Sequence, residues 1–217
     1  MKAKTVLNLA VLLALTLTIG VWGSNPVVQA QGANPFTPAD DTVIVAHNQD
    51  GFQTVDLRQG YPDASAYFCE LQILEKLVIQ DDKLQIRDQL ADKWEANADS
   101  TEYTFYLKKG VMFTDGDPFN AQAVKGHFDW MLGEPPSAAA ATLRGDIKSV
   151  EVVDDLTVKF VMKGPRPFFL SNFAESPGSL IYSPKTIALS DEDRARDVRG
   201  TGPFKIKEWL GQRDLVL

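Results

Sequence analysis

The chain has 217 residues, 44% hydrophobic and 24% charged, with 29 acidic against 22 basic side chains and a formal net charge of −7. That length supports a sizeable core in one or two domains, and the acidic balance argues against nucleic acid or an anionic membrane as the main partner. A single cysteine, Cys69, excludes an internal disulfide.

Met1 to Ala30 reads as a targeting segment. Lys2 and Lys4 form a basic start, Val6 to Val21 is a Leu-rich apolar run, and Val28-Gln29-Ala30 offers a cleavage site, so a mature chain is expected to begin at Gln31. An uncleaved anchor is the alternative, though the run is short for a span. No cysteine stands near the cleavage site to carry a lipid. Export follows from this reading.

Gln31 to Asp41 is a polar, Pro-containing start, Thr42 to His47 a short strand, and Asn48 to Gly60 a polar loop. Asp63 to Leu77 is predicted to be a helix with an apolar stripe of Phe68, Leu71, Leu74 and Val78 and a cap at Asp63 or Ser65. Cys69 falls among these residues, which argues for packing rather than reactivity. Asp81-Asp82 turns the chain, and Leu90 to Trp94 reads as a short packed turn with Trp94 in the core.

Tyr103, Phe105 and Leu107 share one face of an extended segment, Val111-Met112-Phe113 continues as a second short strand, and Thr114 to Pro118 carries turn residues. Asn120 is placed to cap a helix running to Leu132, with Ala121, Val124, Phe128 and Met131 on its apolar face. Gly133 to Ser137 is a loop, and Ala138 to Leu143 one or two helical turns. Asp146 to Lys163 is a hairpin candidate turning at Asp154-Asp155, with Leu156, Val158, Phe160 and Met162 alternating on its second arm.

Phe168 to Ala174 is a short apolar helix, Ser183-Pro184-Lys185 a helix start, and Ser190 to Asp193 has the spacing of a capping box. Gly200-Thr201-Gly202-Pro203-Phe204 reads as a structural turn entering a strand, with Phe204 and Ile206 alternating against lysines.

Asp115 and Asp117 flank a glycine in a turn, and nothing there separates their ionisation as paired acid-base catalysis requires. Calcium-loop spacing is absent. Two histidines, His47 and His127, without cysteine partners make no zinc site, and His127 is expected partly buried or exposed. No Gly-x-Ser-x-Gly elbow, P-loop or dinucleotide fingerprint occurs. No catalytic residue, metal or cofactor is expected.

The segments Tyr103-Thr104-Phe105-Tyr106-Leu107, Lys109-Gly110-Val111, Asp115-Gly116-Asp117-Pro118-Phe119 and Ala121-Gln122-Ala123-Val124 resemble, in order and spacing, the signature of the extracytoplasmic solute-binding proteins of peptide and nickel ABC transporters, solute-binding family 5. Leu90 to Trp94, Val150 to Val158 and Gly200 to Phe204 resemble further stretches of that family.

The resemblance implies an α/β fold with a mixed sheet, of the type II periplasmic-binding-protein kind. Residues 31–62 and 165–217 would form first-lobe segments and 63–164 a family-specific subdomain, with the chain stopping before the second lobe. As such a fragment it is expected to bind ligand weakly or not at all by itself. The implied function is capture of a solute, most simply a peptide, for the permease of an ABC importer, in the periplasm or outside the cell, with membrane contact only through that permease.

A nickel chelate or another small solute is the alternative ligand. An exported hydrolase and a chemoreceptor on the same fold are the competing classes. By position in the family pattern, Asn48, Gln49, Phe52, Tyr67, Glu175 and Ser176 are candidate ligand contacts. A plain surface loop accounts for the first three equally well.

Overall fold

The computed structural model describes residues 54–59, 64–210 and 214–217. By contacts the chain divides into Met1–Ala46 and His47–Leu217, and every described residue belongs to the second unit. The targeting segment, the strand at Thr42 to His47 and the candidates Asn48, Gln49 and Phe52 lie outside the described residues. No helix among the described residues is long and apolar enough to cross a membrane.

A four-stranded antiparallel sheet organises this unit, in the order β3 (Ala91–Ala96), β4 (Glu102–Leu107), β6 (Thr157–Met162), β5 (Ile147–Asp154). Strict alternation along β4 buries Tyr103, Phe105 and Leu107, as the period of two predicts. Phe105 pairs with Val158 and Tyr103 with Phe160, which sets the apolar residues of β6 on the same face.

The sheet's covering helix, α2 (Ala121–Met131), begins where expected. Asn120 is extended, and its Oδ1 accepts the Ala123 amide at 2.9 Å. Ala121, Val124, Phe128 and Met131 are fully buried. Phe128 meets Phe160 edge-on at 4.9 Å, and Phe173 of α4 (Phe169–Glu175) stacks on Phe105 at 5.7 Å. Each of these rings contributes on the order of 2–3 kcal/mol by burial, so the cluster is the main stabilising unit.

Several elements differ from the sequence reading. Helix α1 spans Ala64–Ile73, so it stops four residues short of Leu77. Phe68 and Leu71 of its supposed core stripe are exposed, while Glu70, Ile73 and Leu74 are buried. Cys69 is partly exposed.

Leu90 to Trp94 is no turn. It enters β3, whose Trp94 pairs with Phe105 and is only partly buried. Val111 to Phe113 contributes one isolated bridge, Met112 to Pro118, because the chain reverses at Gly116 (φ +88°) before a ladder can form. The β5–β6 hairpin turns at Asp155-Leu156, one position later than expected, beside a register shift between Val152 and Asp154.

The helices are α3 (Ala141–Asp146), α5 (Pro184–Ile187) and α6 (Asp191–Arg194) besides those named, the last two capped by Ser183 and Ser190 as their sequences predict. Two small antiparallel ribbons complete the described strands, β1 (Val78–Gln80) with β2 (Ile86–Asp88) and β7 (Glu208–Leu210) with β8 (Asp214–Val216).

Gly200 to Phe204 does not enter a strand directly, since β7 starts only at Glu208 and Phe204 is exposed. Instead the segment closes the C-terminus of α1. Gly202 N donates to Ile73 O at 2.9 Å and Phe204 N to Gln72 O at 3.2 Å, satisfying carbonyls that a helix end leaves without partners.

Candidate functional site

A second buried network lies beside α2. His127 is fully buried, contrary to the expectation of an exposed or half-buried side chain. Its Nε2 meets Gly178 O at 3.2 Å, and its Nδ1 accepts the Tyr182 amide at 3.4 Å, an arrangement that requires the neutral ring. Burial pushes its pKa down to about 4. The Tyr182 hydroxyl accepts the Leu57 amide at 2.8 Å. These partners are satisfied internally and leave no route to a ligand.

The acidic corner is equally structural. Asp115 Oδ1 accepts the Asp117 amide at 3.1 Å, and Asp117 pairs with Lys185 at 2.6 Å. An open groove of about 340 Å³ runs past Asp117 to Pro184 and Ile187, and the carboxylate on its wall is the one already paired. Among the described residues no group of three or more His, Cys, Asp or Glu side chains is placed to hold a metal ion.

A different cleft, of about 270 Å³, brings unlike elements together around one cation. Helix α1 supplies Tyr67 and Leu71, and Leu74 follows just after it. Lys76, Ile79 and Gln80 come from the passage into β1, Gln89 from the turn before β3, Ala174 and Glu175 from the end of α4, and Leu180 from beyond it. The spacing of Tyr67 and Leu71 puts both on one helix face. The exposure of Leu71 and Ile79 follows from lining an open wall, while Tyr67 is partly buried there. The misread stripe of α1 is explained in part: Leu71 borders a cleft and Leu74 is buried beside it, whereas Phe68 is exposed outside the cleft.

Lys76 is the electrostatic centre of this cleft. It is 4% exposed, and its Nζ donates to Ala174 O at 2.5 Å and stands 3.5 Å from the Tyr67 hydroxyl. Its backbone is held by Gln89, whose Oε1 accepts the Lys76 amide at 2.7 Å, and by Leu90, whose amide donates to Lys76 O at 3.0 Å. Burial lowers its pKa to about 8, a pull that the field of exposed Glu175 opposes only in part.

Of the residues expected from the family pattern, Tyr67 and Glu175 meet in this cleft. Ser176 does not line it. It is buried, and its hydroxyl donates to Ala139 O at 3.2 Å. Sequence reasoning missed Lys76, Gln80 and Gln89. The available signal was weak: Glu75-Lys76 interrupts the apolar residues Ile73, Leu74 and Leu77 to Ile79, and a charge in such a stretch has to be explained.

Comparison with known proteins agrees with this architecture. Residues 85–217 match the model of bacterial extracellular solute-binding proteins, family 5 Middle. The chain is 30% identical over 190 residues to the glutathione-binding protein GsiB of Pectobacterium atrosepticum, covering 88% of this chain and 36% of that protein. It is 35% identical over 139 residues to the probable D,D-dipeptide-binding periplasmic protein DdpA of Escherichia coli K12, covering 61% and 26%.

The chain therefore spans about a third or less of the length of these relatives. Among solved structures, the periplasmic binding protein DppA of Helicobacter pylori in complex with the peptide STSA superposes with a TM-score of 0.65 at 25% identity, over 76% of this chain and 36% of that one. The fold is that of type II periplasmic binding proteins, mixed α/β in class although every strand pair among the described residues is antiparallel. Matched over more than half its length, the chain belongs to family 5 of the bacterial extracellular solute-binding proteins.

Proposed function

We propose that this protein is the solute-capturing component of an ABC importer, taking peptides outside the cytoplasmic membrane and passing them to the permease. The observation that carries this reading is the family match across residues 85–217. The relatives named for glutathione and a D,D-dipeptide, and the peptide held by the Helicobacter pylori protein, favour a short peptide as ligand. The leader-like residues 1–30 support an extracytoplasmic location.

In this reading residues 31–62 and 165–217 belong to one lobe and 63–164 to a subdomain against it. Asn48, Gln49 and Phe52 join Tyr67 and Glu175 as ligand contacts. Closure on ligand would report occupancy to the permease, which works only if ligand binds the closed form better than the open one. The protein acts by binding and not by catalysis.

Deletion of the gene in its host tests the proposal. Uptake of a subset of labelled short peptides should be lost and restored by complementation, while purified protein leaves those peptides uncleaved. Unchanged uptake of every peptide, or turnover without saturable binding, overturns it. Loss of chelate uptake alone would replace peptide by a metal complex as the solute.

A further inference from the structure

A lysine that is 4% exposed and lines a cavity must be accounted for, because taking an ammonium out of water is costly unless an anion or several acceptors compensate. The described residues compensate Lys76 incompletely. Ala174 O accepts one bond at 2.5 Å, and the Tyr67 hydroxyl, at 3.5 Å, is at the limit of a second. Glu175 acts on it through space, and that field is outweighed by burial. An ammonium has three N–H donors, so donor capacity remains on a residue that lines the cavity.

The rest of the lining is complementary to one kind of ligand. Leu71, Leu74 and Ile79 offer apolar wall, and the Gln80 and Gln89 amides beside it are held by the protein itself, Gln80 Nε2 donating to Leu84 O at 3.0 Å and Gln89 Oε1 accepting the Lys76 amide at 2.7 Å. At about 270 Å³ the space lies just below the usual range for whole drug-sized ligands, which suits one end of a short amphiphilic molecule. A neutral acceptor would offset part of that cost but leave the charge unpaired. A carboxylate would also balance the charge and form a charge-assisted bond to a side chain that is itself 4% exposed.

The geometry points to Lys76 as the specificity-determining cation of this cleft, receiving a carboxylate of the ligand while the adjoining apolar part rests on Leu71, Leu74 and Ile79. This rests on the reading of the chain as a solute-binding protein. It adds to that reading a charge requirement at a named atom. The carboxylate has two possible sources, the end of a peptide chain or an acidic side chain, and both present the same group to Nζ.

The test follows the Lys76 side chain by NMR in the 217-residue protein carrying 13C at the lysine ε positions, with the signal assigned by its loss in Lys76→Arg. Three probes separate the chemistry. N-acetyl-leucine carries a main-chain carboxylate, N-acetylglutamic acid α-amide a side-chain carboxylate, and N-acetyl-leucinamide none. Saturable displacement of the Lys76 signal by one or both carboxylates, at a concentration at least ten-fold below that needed with the leucinamide, is the expected result.

The more effective carboxylate identifies the source. In Lys76→Gln, followed by backbone amide shifts of the cleft residues because the Lys76 signal is gone, the carboxylates should bind no better than the leucinamide, while the remaining lysine signals stay in place. No displacement by either carboxylate, or equal displacement by the leucinamide, overturns the inference and makes Lys76 a structural tie to Ala174. Failure of the importer reading would show separately, as unchanged peptide uptake, because the Lys76 signal reports on the cleft whether or not peptides are transported.

Discussion

Arg194 Nε donates to Asp56 Oδ2 at 2.7 Å across 138 positions of sequence, and neither side chain is more than 3% exposed. The pair is embedded in further bonds. Arg194 Nη1 donates to Leu189 O at 2.8 Å, the Arg58 amide donates to Asp56 Oδ1 at 3.0 Å, and the Arg194 guanidinium lies 4.9 Å from the centroid of the Trp130 ring. Removing one partner strands the other charge in a dry site. Asp56→Ala and Arg194→Met should each cost about 3–5 kcal/mol, read from urea midpoints at constant m. The double variant should cost clearly less than the sum, since it leaves no stranded charge, and simple additivity would show that the two groups do not depend on each other.

The Gly-Thr-Gly segment makes a second demand. A Cβ at Gly200 would overlap the Ile73 carbonyl oxygen and stand 2.7 Å from Leu74 Cδ2, and one at Gly202 would stand 2.6 Å from Gln72 O. Gly200→Ala and Gly202→Ala must therefore push this segment off the end of α1, at a cost of about 1–3 kcal/mol or more. Gly116→Ala meets no atom within 4 Å and suffers only from its φ of +88°, so about 1 kcal/mol is expected there. Because the end of α1 carries the wall of the cleft, the first two should also disturb the Lys76 environment. Equal effects at all three positions would contradict the close-approach account.

What was legible in the sequence is what local periodicity decides. The alternation through Tyr103, Phe105 and Leu107 and the helical spacing from Ala121 to Phe128 lie against one core, and both elements formed as read. The face of α1 was not legible. Apolar spacing shows which residues share a face, but whether that face meets a core or a cleft depends on α4 and β1, which are distant in sequence. The Gly-Thr-Gly-Pro-Phe segment misled for the same reason, because its hydrogen-bond partners are the carbonyls of Gln72 and Ile73. Lys76 stood in the sequence only as half of a Glu75-Lys76 pair between apolar residues, and its meaning came from Ala174 and Glu175.

Stability should fall in mild acid because of His127. The unfolded ring takes up a proton near pH 6.5, whereas the folded ring, fully buried, does so only near pH 4. Between these values the unfolded chain holds the extra proton, so stability is full above about pH 6.5, declines as pH drops toward 4 and then levels. The span corresponds to roughly 3 kcal/mol in total. His127→Gln keeps an acceptor for the Tyr182 amide and a donor for Gly178 O without a titrating group. Urea unfolding between pH 7 and 4.5 should show a steeper decline for the parent than for the variant. Parallel curves would assign the acid sensitivity to carboxylates instead.

Lys76 reverses that logic on the alkaline side and so separates binding from folding. With its folded pKa near 8 and an unfolded value of 10.5, the unfolded chain holds the extra proton between those values, and stability should rise as pH climbs through that window. Binding of a carboxylate needs the charged ammonium, present in about nine of ten molecules at pH 7 and about one of eleven at pH 9. Affinity for N-acetyl-leucine should therefore weaken about ten-fold between pH 7 and 9 while the fold becomes firmer. Lys76→Met should remove both trends and, by replacing a poorly compensated buried charge with an apolar side chain of similar length, match or exceed the parent in stability at pH 7. Affinity and stability falling together at high pH would mean that the cleft is coming apart. Only their divergence ties the loss of binding to the proton on Lys76.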